Sequence, residues 1–240
     1  DLERALATVS SAGGVALASY PQIGTFFAQS ESASFAPDRA EALAGSGITV
    51  HSIGPTRVAA VPDELGALRE TIEDQLVRAD VLITTGGLSV GQGDTVKDVL
   101  APLGSVRFDA VAMSPGRQLG VGTVEGTPIF CLPGDPVSAQ IAFETFVRPV
   151  LRRLAGRRNL HRSSSPASIS SGWHSPAGKR EFVPVHLTGS PSRGYTAAPT
   201  SRPGTTRLLG LARANAIAVV PEDTSTVVAG DTLHCLLLDA

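Results

Sequence analysis

The sequence predicts an α/β fold, a three-layer arrangement on a mostly parallel sheet, followed by a small all-β barrel domain. Three observations carry that reading. Apolar strand-like runs alternate with helical patterns as far as Gly156. Glycine-rich loops follow two of those runs directly. Beyond Arg157 the helical patterns give way to short apolar runs separated by Gly, Pro and Ser. Strand–helix alternation builds βαβ units and a parallel sheet, whereas short, evenly punctuated strands close into a barrel or sandwich.

In chain order, a first strand is expected over 23–28, a helix over 37–44 and a strand over 48–53. The step from Ser30 to Ala36 is short for a βα connection, as if a segment were missing there. Residues 63–77 form the clearest helix, because Leu65, Leu68, Ile72 and Leu76 recur at helical spacing with acidic residues between them. A buried strand over 81–84 leads into a loop and a helix over 95–103. Strands over 106–112 and 129–132 follow. A helix over 136–154 then starts at a proline and ends on Arg152 and Arg153, which suit the helix dipole. Residues 157–166 read as a polar, Ser-rich connector. Strands over 181–187, 216–220 and 232–238 complete the chain. Two domains are therefore expected, 1–157 and 166–240.

Bulk composition narrows the function classes. With a net charge of −2 over 240 residues there is no global basic field, so nucleic acid is not an expected partner. No apolar run approaches the ~20 residues that cross a bilayer, and no signal segment opens the chain, although Asp1 in place of Met suggests a missing beginning. Cys131 and Cys235 have no second Cys or His at metal-ligand spacing and read as buried free thiols. A reducing, cytoplasmic setting is expected. The five histidines are scattered and offer no paired ligand spacing.

Chemistry concentrates in three loops. The first places Thr84, Thr85, Gly86, Gly87, Ser89, Gly91 and Gly93 after a buried strand and ends on Asp94 at a helix start. Its N–H groups and hydroxyls could seat a phosphate or similar oxyanion. Asp94 is open to two readings, a helix N-cap or a carboxylate that holds Mg²⁺ or meets the ligand. The second loop is Pro133, Gly134, Asp135, Pro136 and Ser138, either an anion seat at a helix start or a capped helix with Asp135 as the cap. The third turns at Pro115 and Gly116 and presents Arg117, either a planar fork for an oxyanion or a lone surface arginine. Asp63 and Glu64 open an amphipathic helix, where a dipole role suffices to explain them. Residues 172–180 read as a solvated basic turn, the alternative being contact with a ligand across the domain gap. There is no nucleophile elbow, Walker loop or leading GxGxxG.

Taken in order, Thr84-Thr-Gly-Gly-Leu-Ser-Val-Gly, Asp94 to Lys97, the Pro115-Gly116 turn and Leu132-Pro-Gly-Asp-Pro-Val-Ser-Ala139 resemble the MoeA/gephyrin E-domain family of molybdopterin molybdenumtransferases. The tail resembles that family's small C-terminal β domain through Gly178-Lys-Arg-Glu-Phe182 and Val228-Ala-Gly-Asp231. The resemblance implies insertion of molybdenum from molybdate into adenylylated molybdopterin, with Mg²⁺ and release of AMP. It places the pterin and phosphate end on Thr85, Gly86, Gly87, Ser89, Gly91, Pro133, Gly134, Asp135 and Ser138. It makes Asp94 and Asp63 active-site carboxylates, with Asp94 at the metal, and puts Arg117 where the family usually has a Lys near molybdate. It further implies a homodimer and a molybdopterin adenylyltransferase as a partner. Asp135 stands where the family usually has Asn, Ser114 where it has Lys, and residues 28–32 depart from its first-loop motif. The family's two N-terminal domains have no counterpart here, so a fragment or a divergent paralog is expected. Two further readings are a degenerate pterin-binding carrier and an adenylyltransferase, against which the tail argues.

Overall fold

The computed structural model describes residues 15–20, 25–29, 61, 64–77, 79–88, 95–204 and 208–238. The chain falls into two compact units, 1–59 with 238–240, and Ala60–Leu237. In the first, β1 (Val15–Tyr20) and β2 (Thr25–Gln29) pair as an antiparallel hairpin. Strand β2 covers most of the strand expected over 23–28. The elements expected over 37–44 and 48–53 lie outside the described residues.

The second unit opens with α1 (Leu65–Leu76), which buries Ile72 and packs Leu68 and Leu76 beside it. β3 (Leu82–Thr85) follows, then α2 (Thr95–Leu103), whose buried Val96, Val99 and Leu100 share one face. β4 (Ser105–Ala110), the two-residue β5 (Met113–Ser114), β6 (Gln118–Val124) and β7 (Thr127–Leu132) come next. The sheet runs β3-β7-β6-β4. Along β7 the side chains alternate between two faces. Ile129 and Cys131 join the core under α1 and α2. Phe130 and Leu132 join a second core with Ala142 and Val147 of the helix beyond. Helices therefore cover both faces, and the layers are three, as expected.

Strand direction departs from the expectation of a mostly parallel sheet. Among the described residues β3–β7 is the one parallel pairing in this sheet, while β7–β6 and β6–β4 are antiparallel. The cause is a tight hairpin at Glu125 and Gly126, both with positive φ (51° and 85°), the backbone of a two-residue turn. Strand β6 was not expected at all.

The helix expected over 136–154 is continuous but changes pitch. It runs as α3 (Pro136–Ala142), a π-helical turn (Phe143–Val147) and α4 (Arg148–Leu154). Pro149 has no N–H to give the carbonyl of Thr145, so the regular ladder cannot pass through this turn. Glu144, within the π turn, is buried. Its carboxylate receives a two-pronged bond from Arg162, with Nε to Oε2 and Nη2 to Oε1 both at 2.9 Å. Gln140 adds a bond at 3.3 Å, and Arg148 approaches to 3.5 Å.

The remaining strands are β8 (Ser164–Ile169), β9 (Trp173–His174), β10 (Arg180–Ser190), β11 (Gly194–Pro199), β12 (Ala216–Val220), β13 (Thr226–Val227) and β14 (Thr232–Leu237), with the short α5 (Leu208–Ala212) before β12. Five of them close on themselves. The order β10-β11-β8-β14-β12 returns to β10, which pairs with β11 through 185–190 and with β12 through 181–185. Closure leaves no free edge and confirms the barrel. Its interior is filled by Val183, Val185, Leu187, Ala197, Ala218, Val220 and Cys235, among others. Strand β8 begins inside the stretch expected to be a connector, since Ser164, Ser165 and Pro166 pair with Leu236, Cys235 and His234. At its other end the barrel joins the first sheet's loops. Met113 and Ser114 of β5 lie parallel to Arg180 and Glu181 of β10, and the Arg180 N–H donates to the Ala112 carbonyl at 3.0 Å.

Both cysteines are free and buried, as expected. Burial pushes the Cys131 and Cys235 thiols up from 9.0 to about 11. The Thr84 hydroxyl, opposite Cys131 in the β3–β7 register, lowers the Cys131 value slightly but stays short of hydrogen-bond geometry. A thiol ionising later in the folded chain than in the unfolded one contributes stability fully present below pH 9.0 and lost as pH rises toward about 11. Native protein at pH 8 should accordingly resist iodoacetamide at both positions, while the denatured chain takes two equivalents by mass.

Candidate functional site

The site grows from the carboxyl ends of the parallel pair β3 and β7. Thr85 and Leu132 are partners in that register, and the Gly86 N–H donates to the Leu132 carbonyl at 3.0 Å. Gly86 and Gly87 then turn with φ of 88° and 66°, a region that costs other residues. The glycines also serve close approach. A Cβ on Gly134 would lie 3.2 Å from the Gly86 Cα, and one on Gly87 would strike Val96 Cγ2 at 2.6 Å. Loops one and two thus cross backbone against backbone, and Thr85, Gly86, Gly87, Pro133 and Gly134 are brought together. Ser89, Gly91, Asp94 and Asp63 lie outside the described residues.

Loop two resolves the choice left open for Asp135. Its Oδ2 accepts the Ser138 N–H at 2.7 Å, and its own extended backbone (φ −67°, ψ 125°) precedes Pro136 at the first helical position. Asp135 caps α3. The cap already engages the Ser138 N–H that an anion would use, and it adds a negative charge at the helix start. Asn caps about as well as Asp. Asp135→Asn should therefore change Tm little and tighten oxyanion binding by about threefold or more, as removal of a nearby repulsive charge predicts. Weaker or unchanged binding in a calorimetric titration would count against a ligand at this loop.

The third loop closes on itself, with the Val111 N–H donating to the Arg117 carbonyl at 2.8 Å. Its turn passes a cis Ser114–Pro115 bond and Gly116, whose φ is 92°. A Cβ on Gly116 would sit 3.2 Å from the Ser138 carbonyl oxygen, so this turn lies directly on the start of α3. Arg117 is exposed and, among the described residues, makes no ion pair. A cleft of about 430 Å³ opens between the two loops, lined by Ala110, Gly116, Arg117, Gln118, Pro133 and Ser138. Arg117 and Ser138, 21 positions apart in the chain, share its wall.

Ala110 and Gln118 were missed from the sequence. Their signal was positional, since they close β4 and open β6 on either side of the Pro-Gly turn. The basic segment over 172–180 is also more tightly held than a solvated turn. The Trp173 indole N–H donates to Glu181 Oε2 at 2.9 Å, and Glu181 is 1% exposed. Arg180 pairs with Glu222 at 2.9 Å on the surface. Among the described residues no group of three or more His, Cys, Asp or Glu side chains could hold a metal ion.

A guanidinium and a helix start on one cleft, with Pro133 linking it to the crossing of the two glycine loops, suit a ligand with phosphate or another oxyanion. Comparison with known proteins supplies the lineage. A family model described as "Probable molybdopterin binding domain" matches residues 34–153, and one described as "MoeA C-terminal region (domain IV)" matches residues 166–238. The chain belongs to the MoeA family. It is 37% identical over 178 residues to Molybdopterin molybdenumtransferase 2 of Mycobacterium tuberculosis, covering 72% of this chain and 43% of that protein. Against Molybdopterin molybdenumtransferase 1 of the same organism it is 34% identical over 188 residues, covering 76% and 44%. Among solved structures, a molybdopterin biosynthesis MoeA protein from Pyrococcus horikoshii aligns with a TM-score of 0.63 at 26% identity, covering 75% of this chain and 42% of that one. The chain spans less than half the length of these MoeA relatives. The likeness supports the α/β domain followed by a small β domain. No described helix is long and apolar enough to cross a membrane.

Proposed function

We propose that this chain carries out the molybdenum insertion step of molybdenum cofactor synthesis. It would take adenylylated molybdopterin and molybdate and release AMP. The observation that carries the reading is the placement of Arg117 and Ser138 on one cleft beside the Gly86–Gly134 crossing. The names of the MoeA relatives point the same way. In this reading the crossing loops hold the pterin and its phosphates, through Thr85, Gly86, Gly87, Ser89, Gly91, Pro133, Gly134 and Ser138, with Asp135 on the pterin side of the same loop as the helix cap. Arg117 draws the tetrahedral oxyanion by charge and forked donation. Asp94 and Asp63 are the active-site carboxylates, and Mg²⁺ belongs to the proposal through Asp94 alone, since the described residues offer it no site of their own. The proposal extends to a division into domains at 1–157 and 166–240, to a homodimer in the cytoplasm, and to a molybdopterin adenylyltransferase as supplier of the substrate.

One observation favours a second reading, a pterin carrier without turnover. The Asp135 carboxylate stands in the anion loop, where charge repulsion opposes phosphate. Titration with molybdopterin and with its adenylylated form, in the presence of Mg²⁺, separates the two. Binding followed by molybdate-dependent AMP release supports the transferase. Binding without release supports the carrier, and no binding removes both.

A further inference from the structure

We propose that the turn leaving α4 is a docking surface for an acidic segment of a partner protein, with Leu154 as its apolar anchor. This inference does not depend on the transferase reading. Between Glu144 and Glu181 the chain has no Asp or Glu but seven Arg and one Lys. Eight of the 20 basic residues therefore lie in a stretch holding none of the 22 acidic ones, within a chain of net charge −2. Four of the eight, Arg152, Arg153, Arg157 and Arg158, lie together at the end of α4 and concentrate a local positive field there, whereas Arg148 and Arg162 face Glu144 and Arg180 pairs with Glu222.

The turn is built rather than loose. Gly156, with φ of 69°, sends its N–H to the Arg153 carbonyl at 3.0 Å, and Arg157 sends its own to the Arg152 carbonyl at 2.9 Å. That pair of bonds is the Schellman helix ending. The chain beyond is tied back to the helix, with Arg148 Nη1 donating to the Leu160 carbonyl at 3.1 Å and Arg152 Nε to that of Asn159. Arg162 then fixes it through Glu144. On this fixed backbone Arg153, Arg158 and His161 are exposed, and Leu154 beside them is 58% exposed. A surface already ordered loses little entropy on binding. Arginines around an apolar side chain match the anchor-and-rim build of protein interfaces.

Other anionic occupants fit less well. Residues 152–162 include no Phe, Tyr or Trp on which a base could stack. An extended polyanion would also run past a chain that is otherwise strongly acidic. A membrane surface would call for several inserting apolar residues, where this turn offers one.

The test uses the full chain and fluorescence anisotropy, with short labelled peptides of Asp and Glu made with and without leucines. An oligothymidine of matched charge and phosphatidylserine vesicles serve as competitors. Leucine-bearing peptide should bind in physiological salt and weaken as salt rises. Arg153→Glu with Arg158→Glu should reduce its affinity about tenfold or more, and Leu154→Ser about threefold or more. The Leu154→Ser loss should vanish for the peptide without leucines, which separates an anchor from plain ion exchange. Unchanged affinity in either variant, no binding, or tighter binding of the oligothymidine or the vesicles overturns the proposal.

Discussion

Arg162→Ala is expected to destabilise the chain by about 3–5 kcal/mol, because it strands a buried carboxylate. Arg162 and Glu144 expose only 6% and 2% of their side chains. Water cannot readily replace the forked bond that Arg162 gives both carboxylate oxygens. Gln140 and Arg148 remain as partners, the latter at 3.5 Å, which places the expected cost toward the lower end of the range. Arg148 is an imperfect substitute, since it approaches only through Nε and its Nη1 is already given to the Leu160 carbonyl. Arg162→Lys keeps a charge but loses the fork, and should cost less than the alanine variant. The double variant Glu144→Leu with Arg162→Met should regain most of the loss, since apolar replacement of a whole buried pair is often neutral or better. Urea unfolding of the four proteins measures all of this. A loss below about 1 kcal/mol in Arg162→Ala would mean that the carboxylate reaches solvent, contrary to its burial.

That ion cluster also marks where the sequence stopped being informative. Glu144 reads as one acid in an apolar helix, and its partner lies 18 positions on, beyond a helix end and a connector. Nothing local pairs them. Elements with a strong period were legible: α2 spans the residues expected, and α1 and β7 differ from expectation only at their ends. Strand β6 was lost because Gly120 and Gly122 look like turn residues. In the fold they are packing residues. A Cβ on Gly122 would stand 2.0 Å from the Ser105 carbonyl oxygen, and one on Gly120 would stand 2.7 Å from Phe108 Cε1. The same strand turned the sheet's direction antiparallel. Strand β8 was hidden by its serines, although Ala167 and Ile169 alternate inward beneath them. The site divides similarly. Each loop was visible from its glycines and prolines, but their meeting depends on sheet order. It is β6, between β4 and β7, that sets Arg117 across from Ser138.

Arg117→Glu is expected to weaken molybdate or pyrophosphate binding about a hundredfold or more. Losing a charge-assisted donor accounts for roughly 1.5–3 kcal/mol, and the reversed charge adds repulsion to that. The fold should not suffer, because the loop uses only the Arg117 carbonyl, which accepts from Val111, while the guanidinium is exposed. Tm should therefore stay within about a degree or two of the parent, as for surface substitutions generally. Since Arg117 lies open to solvent, the parent's affinity should fall as salt rises, and the variant should lose that slope. Arg117→Lys restores the charge without the fork and should recover part of the affinity. Asp135→Asn is expected to change oxyanion binding with the opposite sign. If one ligand touches both loops, the two substitutions combined should depart from the sum of their separate effects. Strict additivity would place Arg117 and Asp135 at different ligands, and an unchanged affinity in Arg117→Glu would remove the cleft from the proposed function altogether.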